Sequence, residues 1–316
     1  MKVNEYFKEI ESNYNNILKV ANELDTTYHP SEEGMFTTIR DKLVSFIRTI
    51  DELLYKGITG LINIIRRTNI VLEDAEESYK TISPYIKRLY KYRDKLIDKI
   101  KKLPANRILT ILKKKVPIPT GLKITLPDYI TRLEHLSVAI INYDSVAKML
   151  ETRLDNILES DINNITKQLP SKYEIDNLQK QIITYKKEFE EMFGTTMVDY
   201  KPIEKLVNKL MLVPNLVDKS LKLGKYYNIE RLQEIDERNE VLTAKAKQVI
   251  DLLKKNPDIA SKQVLNGLAD YFKIYAEYVT IIGLSNIAYS QLTDTLYNIA
   301  KIIVDGDLPG KTKSGY

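Results

Sequence analysis

Apolar residues follow one another at alternating spacings of three and four along much of this chain, which is the periodicity of an amphipathic helix. Two segments carry the pattern furthest. The first stripe consists of Leu133, Leu136, Ile140, Tyr143, Ala147, Leu150, Leu154 and Ile157. The second consists of Leu268, Phe272, Tyr275, Val279, Ile282, Asn286, Tyr289, Thr293, Leu296, Ala300 and Ile303. Seams of this length are typical of coiled-coil-like packing between long helices.

The rest of the sequence agrees with helical structure. Its 316 residues include only 11 glycines and 11 prolines, mostly at plausible helix ends. We therefore predict an all-α fold, an elongated multi-helix bundle with long coiled-coil-like helices and one extended proline-rich arm. The predicted helices span 3–25, 32–55, 58–82, 84–103, 105–115, 128–167, 172–193, 202–223, 228–255 and 257–305.

Several predicted helix ends have a physical cause. A capping box is expected to open at Ser171, where a serine and a glutamate three residues later satisfy amides of the first turn. Ser83 and Asn256 each precede a proline, a combination that predicts a helix start. Gly194 and Gly224 are expected to end their helices in the left-handed conformation.

Residues 116–127 depart from the helical pattern. Apolar residues there alternate with proline, glycine, lysine and threonine, which predicts an extended segment at a sheet edge or a free-standing arm. One interpretation is an arm that contacts an assembly partner, and the other is an ordinary connector between helices. The residues predicted to make the partner contact are Pro117, Ile118, Pro119, Leu122 and Ile124.

The chain therefore divides into an N-terminal helical region with a basic end (1–115), the arm (116–127), a C-terminal long-helix bundle (128–305) and a flexible tail (306–316). The last seam has two interpretations. It joins different molecules, with polar Asn286 fixing the register, or it packs inside a single chain. For the first interpretation the predicted contacts are Tyr275, Ile282, Asn286 and Tyr289.

Residues suited to catalysis are scarce. Cysteine is absent, which removes disulfides, thiolate nucleophiles and cysteine metal sites. The two histidines, His29 and His135, lack the spacings of metal-binding helices. Carboxylate runs such as 188–191 are typical of a solvated helix face. We expect no catalytic residue, metal, cofactor or small-molecule substrate, and no enzyme activity.

The charge distribution is the strongest functional signal. From Lys87 to Lys123, thirteen lysines and arginines outnumber two aspartates, a net charge of +11. Because the whole chain carries +5, the remaining residues carry −6. Such a segment attracts nucleic acid, anionic lipid or an acidic protein surface, and it also occurs as a solvated helix without a partner.

Twelve residues in or next to this segment are predicted to contact nucleic acid or an acidic partner. The tyrosines among them would stack on unpaired bases. The predicted contacts are Lys87, Arg88, Lys91, Arg93, Lys101, Lys102, Arg107, Lys113, Lys114, Lys115, Tyr85 and Tyr92.

Neither an export signal nor a membrane span is expected. The N-terminus carries charges every few residues and lacks the apolar core of a signal peptide. The longest uncharged run, Tyr278 to Thr293, is shorter than the roughly 18–20 residues of a spanning helix. We expect a cytoplasmic or virion-associated protein.

The chain is rich in Lys, Ile, Asn and Tyr, lacks cysteine and opens with Met-Lys-Val-Asn-Glu-Tyr-Phe. In these respects it resembles structural and internal head proteins of large tailed phages. The resemblance implies a virion component whose basic segment faces packaged DNA.

Taken with the seams and the arm, these features predict a non-enzymatic structural or assembly protein that associates with protein partners or with itself. The alternative is a protein that binds nucleic acid without sequence specificity through residues 87–123.

Overall fold

Eight α-helices make up most of the part of the chain that the computed structural model describes, residues 3–28, 39–102, 121–160, 164–193, 210–256 and 261–305. They are α1 (Val3–Tyr28), α2 (Ile39–Lys102), α3 (Leu126–Glu159), α4 (Ile165–Gln168), α5 (Lys172–Met192), α6 (Val213–Leu223), α7 (Ile229–Lys255) and α8 (Lys262–Asp305). A 3₁₀ turn at Leu210–Leu212 precedes α6. The prediction of an all-α multi-helix bundle is confirmed.

The longest element, α2, is one helix of 64 residues where the sequence predicted three. At 1.5 Å per residue, its length is about 96 Å. Pro84 lies inside α2, so the helix start predicted at Ser83 is wrong. A proline within a helix removes one backbone hydrogen bond. Because Pro84 is exposed, water can satisfy the freed carbonyl, while the buried side of α2 stays packed against the bundle.

The last helix, α8, lies at the centre of the bundle. Nearly every position from Leu268 to Val304 is buried, and α1, α2, α3 and α5 pack around it. A Cβ atom added at Gly283 would lie 2.8 Å from Val71 Cγ2 and 2.9 Å from the Val71 carbonyl oxygen of α2. Glycine therefore allows α2 and α8 to approach closely, and the seam of α8 is filled by the chain's own helices.

The ends of α3 and α5 can be compared directly with prediction. α3 ends at Glu159 instead of residue 167, and α4 forms a separate short helix beyond it. The capping box of α5 is confirmed, because the Ser171 amide donates to Glu174 Oε2 at 2.8 Å and the Glu174 amide donates to Ser171 Oγ at 3.3 Å. Gly194 lies outside the described residues.

Two other helix ends differ from prediction. Asn256 ends α7, with its backbone and side-chain amides donating to the last carbonyls of that helix, and α8 begins only at Lys262. Gly224 has a φ of −56°, so the left-handed conformation expected there is wrong. A Cβ atom at Gly224 would lie 3.1 Å from the Tyr289 hydroxyl. The close approach of Tyr289 therefore explains why a glycine occupies this position, and a left-handed backbone conformation does not.

The described end of the predicted arm is held against the bundle. Leu122 forms an isolated antiparallel bridge with Phe193 at the end of α5, and its side chain is buried. Ile124 is partly buried against the core. The predicted partner contact is therefore wrong for Leu122, which packs inside the chain. The predicted contacts that lie outside the described residues are Pro117, Ile118 and Pro119.

One apolar core includes residues from both the 1–115 and the 128–305 regions. A buried polar network crosses it and joins three helices. Asn239 Nδ2 of α7 donates to Asn69 Oδ1 of α2 at 2.7 Å, and the Tyr275 hydroxyl of α8 donates to Asn239 Oδ1 at 2.7 Å. Asn239 uses both its side-chain nitrogen and its side-chain oxygen in these bonds. The network therefore fixes the register of α7 against α2 and α8.

Gly283→Ala is expected to lower the free energy of unfolding by about 1–3 kcal/mol, because its methyl group must displace Val71 and its carbonyl. Gly57→Ala in α2 is the matched control, since its Cβ would lie 3.4 Å from Val20, an ordinary contact. The control is expected to gain about 0.5–1 kcal/mol from helix propensity. Urea unfolding followed by circular dichroism measures both, and equal effects would contradict the close approach.

A second prediction concerns the start of α5. Hydrogen bonds from Arg153, and then from the Ser171 hydroxyl and amide, lower the pKa of Glu174 from 4.5 to about 2. The resulting stability is present above the ordinary pKa and is lost as the pH falls through the folded-state value. Glu174→Gln should destabilise the protein at neutral pH and remove that acid dependence. Urea unfolding across a pH series tests this, with Glu159→Gln, an exposed position, as the control.

Candidate interaction surface

Eight of the cations in the basic segment lie in the last turns of α2, between Lys87 and Lys102. All of them except half-buried Arg93 are exposed. Only Asp94 and Asp98 oppose them within this stretch, which leaves a net charge of +6. The predicted contacts that lie outside the described residues are Arg107, Lys113, Lys114 and Lys115.

Tyr85 and Tyr92 pack against α8. The Tyr85 ring stacks on Tyr297 with centroids 4.5 Å apart, and Tyr92 stacks on the same ring at 5.8 Å. The Tyr92 hydroxyl donates to Asp305 Oδ2 at 2.5 Å, and Arg88 Nη1 donates to the Tyr297 hydroxyl at 3.2 Å. Burial, followed by the bond to Asp305, raises the pKa of Tyr92. The prediction that these two tyrosines stack on bases is wrong, because a seven-residue spacing places both on the side of α2 that meets α8.

The basic surface extends beyond the segment found in the sequence. A groove of 680 Å³ lies between α2 and the end of α6. Its aromatic lining is Tyr79, Tyr90 and Tyr289, and its cationic lining is Arg93, Lys222 and Lys225. Lys222 and Lys225 were not among the predicted contacts. Lysines at positions 219, 222 and 225 are three residues apart, and this spacing could have predicted a basic helix face. We call the exposed cations from Lys87 to Lys102, together with this cationic lining, the basic surface.

Arg93 lies where α6 packs against α2. Its Nε lies 3.7 Å from Asp218 Oδ1 of α6 and 3.1 Å from Asp94 Oδ1 of its own helix. Lys225 Nζ lies 4.4 Å from the centroid of the Tyr226 ring. An exposed ion pair therefore bridges the two helices at the groove, where aromatic and cationic groups lie side by side.

An acidic patch adjoins the basic surface farther back along α2. It consists of Glu73 and Glu76 of α2 with Asp236, Glu237 and Glu240 of α7. Burial, and then the charges of the four glutamates, raise the pKa of Asp236. Lys80 Nζ lies 3.0 Å from Glu76 Oε1. Among the described residues one ion pair faces five carboxylates, so the patch carries a net negative charge.

The four α8 residues predicted as assembly contacts lie inside the bundle, each with no more than 4% of its surface exposed. Tyr275 belongs to the buried network with Asn239. Asn286 Nδ2 donates to the Ile282 carbonyl of its own helix at 3.0 Å. The intermolecular interpretation is therefore wrong for Tyr275, Ile282, Asn286 and Tyr289, because the chain's own helices cover the seam.

His135 takes part in a partly buried cluster between α3 and α5, centred on the buried Glu188. Its Nδ1 lies 3.2 Å from Glu188 Oε1, and Arg132 Nη1 donates to Glu188 Oε2 at 2.7 Å. His29 lies outside the described residues. In the part of the chain that the structure describes, no group of three histidine or acidic side chains could hold a metal ion. None of the described helices is both long enough and apolar enough to cross a membrane.

No known protein family, curated protein or solved structure matches this chain.

Asp236→Asn is expected to stabilise the protein at neutral pH by about 0.2–0.5 kcal/mol for each like-charge contact removed. Because the folded state raises the pKa of Asp236, the wild type loses stability as the pH rises from the ordinary aspartate value to the folded-state value. The gain of the variant should therefore grow through this window and stay constant above it.

Urea unfolding at several pH values measures the gain. The control is Asp251→Asn on the same helix, where the carboxylate lies 3.3 Å from Lys254 and no gain is expected. A gain that is equal at every pH would contradict the assigned crowding of carboxylates around Asp236.

Proposed function

We propose that this chain is a non-enzymatic structural protein, a helical component of a larger complex that assembles through its basic surface. The observation that carries the proposal is the segregation of charge along α2. Cations occupy its last turns and the adjoining groove, while the acidic patch lies on the preceding turns. A rigid element with separated charges suits docking against an oppositely charged protein surface.

The pairing of charges elsewhere in the described chain supports this proposal. Arg132, Arg153 and Lys186 each lie within 2.7 Å of a glutamate carboxylate. The cations at Lys87 and Lys91 have no such partner among the described residues. Charges of one sign that gather without internal partners are therefore available for contacts with another molecule.

The composition resembles that of phage structural and internal head proteins, and we extend the proposal to that setting. The complex would then be a virion, and the basic surface would meet an acidic capsid component or the packaged DNA. The length of α2, about 96 Å, suits a spacer or scaffold in such an assembly.

The alternative is binding of single-stranded nucleic acid, and one observation favours it. Tyr90 is 46% exposed, lies in the groove and has the Arg93 guanidinium 5.8 Å from its ring centroid. Nucleic-acid grooves combine aromatic rings with cations in this way. Tyr90 would therefore replace Tyr85 and Tyr92 as the stacking residue.

The test compares the wild type with a variant in which three cations of the basic surface are reversed. That variant is Lys87→Glu with Lys91→Glu and Lys222→Glu, and the control reverses three exposed lysines elsewhere, Lys172, Lys180 and Lys255. Fluorescence anisotropy would follow binding to labelled polyglutamate and to a single-stranded oligonucleotide of equal charge across a salt series.

We expect the wild type and the control to bind polyglutamate, and the basic-surface variant to bind at least about tenfold more weakly. The oligonucleotide should bind no more tightly than polyglutamate. A tenfold preference for the oligonucleotide that depends on Tyr90 would favour the alternative. Equal binding by all three proteins would contradict both functions.

A further inference from the structure

Eight exposed residues of α2 form a largely charged stripe along the face away from the core. Its members recur at spacings of 7, 4, 3, 4, 3, 4 and 7 residues. Such spacings keep side chains on one face of a helix. The stripe consists of Arg66, Glu73, Glu77, Lys80, Pro84, Lys87, Lys91 and Asp98, and all eight residues are exposed.

The order of charges in this stripe is antisymmetric about residue 82. Positions at equal distances on either side carry opposite charges in three cases, and in the fourth a lysine corresponds to a proline. When two such helices lie antiparallel with a two-fold axis at the level of residue 82, residue i lies opposite residue 164 − i. The facing pairs are then Arg66 with Asp98, Glu73 with Lys91, Glu77 with Lys87 and Lys80 with Pro84.

Each pair occurs twice in a two-fold dimer, so the arrangement contains six opposite-charge pairs and no like-charge pair within the stripe. None of the six charged residues in the three pairs makes an ion pair through its side chain with a described residue of its own chain. A contact between two copies would therefore use charges that intramolecular packing leaves available.

The neighbouring helices fit the same arrangement. α7 flanks α2 near Asn69, to which Asn239 is hydrogen-bonded, and α6 flanks it near Arg93, which pairs with Asp218. In the two-fold dimer, residues 86–93 of one α2 lie opposite residues 71–78 of the other. The level at which α6 packs in one copy would thus correspond to the level of the acidic patch in the other.

From this antisymmetry we infer that the exposed face of α2 binds a second copy of the chain antiparallel, forming a closed two-fold dimer. The inference rests on the proposed assembly function and names the partner of the basic surface. In a closed dimer the acidic and basic parts of both stripes are paired. A head-to-tail contact would instead leave one acidic part and one basic part unpaired at the two ends of a filament.

The size of the contact sets the expected strength. Residues 66–98 span about 48 Å, and with a helix width of about 10 Å the stripe covers roughly 500 Å² per copy. A standard stable interface covers about 800 Å² per partner. α6 and α7 add area, but exposed ion pairs contribute little individually. The dimer is therefore reversible and weakens as ionic strength rises.

A charge-swap experiment tests the pairing. The acidic-stripe variant is Glu73→Lys with Glu77→Lys, and the basic-stripe variant is Lys87→Glu with Lys91→Glu. Lys172→Glu with Lys180→Glu on α5 is the charge-matched control. Circular dichroism would verify folding, which these exposed positions should not disturb. Sedimentation velocity at low ionic strength over a wide concentration range would measure the dimer.

We expect the wild type and the control to reach twice the monomer mass and no more. Each stripe variant alone should dimerise at least about 100-fold more weakly, because attraction becomes repulsion at all four contacts that the two substitutions alter. An equimolar mixture of the two variants should restore dimerisation to within about tenfold of the wild type, since every facing pair is again of opposite charge.

Three results would overturn the inference: a wild type that stays monomeric, a mixture of variants that does not dimerise, or a species that grows beyond twice the monomer mass. The wild type could stay monomeric and still bind polyglutamate through Lys87 and Lys91. That result would contradict self-association but would support the proposed function, with a different acidic protein as the partner. Loss of both would end the proposed function as well.

Discussion

The approach of α8 to α2 at Gly283 is the contact on which the rest of the fold depends. Because no Cβ separates α8 from Val71 there, the two longest helices pack at short range and bury α8 on every side. The other six described helices each pack against one or both of these two. The continuous core that results also explains why α2 tolerates Pro84, since the proline lies on the exposed side of the helix.

The same packing determines where charge can gather. Since α1 and α8 cover one side of α2 and α6 and α7 cover the flank, the last side is exposed for most of the length of the helix. Polar residues are free to vary on such a face without cost to the core. Here they separate into acidic and basic stretches. The arrangement therefore offers a docking surface built on a rigid element, which preserves the spacing between charges.

Whether a feature of the structure could be predicted from the sequence depends on how far apart in the chain the interacting residues lie. The capping box at Ser171 was predicted because it involves residues three apart, whose contact needs only a helix. Pro84 and Gly224 were misread for the opposite reason. From the local sequence, Pro84 predicts a helix start and Gly224 predicts a left-handed turn. The packing that keeps α2 continuous at Pro84, and that places Gly224 next to Tyr289, involves residues far away in the chain.

The interaction residues divide in the same way. The basic segment was visible as a run of cations, but the pairing of Tyr85 and Tyr92 with Tyr297 joins residues more than 200 positions apart. Lys222 reaches the basic surface only because the apolar face of α6 packs against the bundle next to α2. No periodicity along one segment contains that information.

By itself, the sequence determined the helical class, the long apolar stripes, the capped start of α5 and the order of charges along α2, because each follows from residues within a few turns of one another. Tertiary structure alone decided that α8 is the centre of the bundle, that Tyr275 and Asn286 face inward, and which side of α2 stays exposed. The physical reason is that an apolar stripe specifies burial without specifying a partner, and the partner is chosen by packing among all the helices at once.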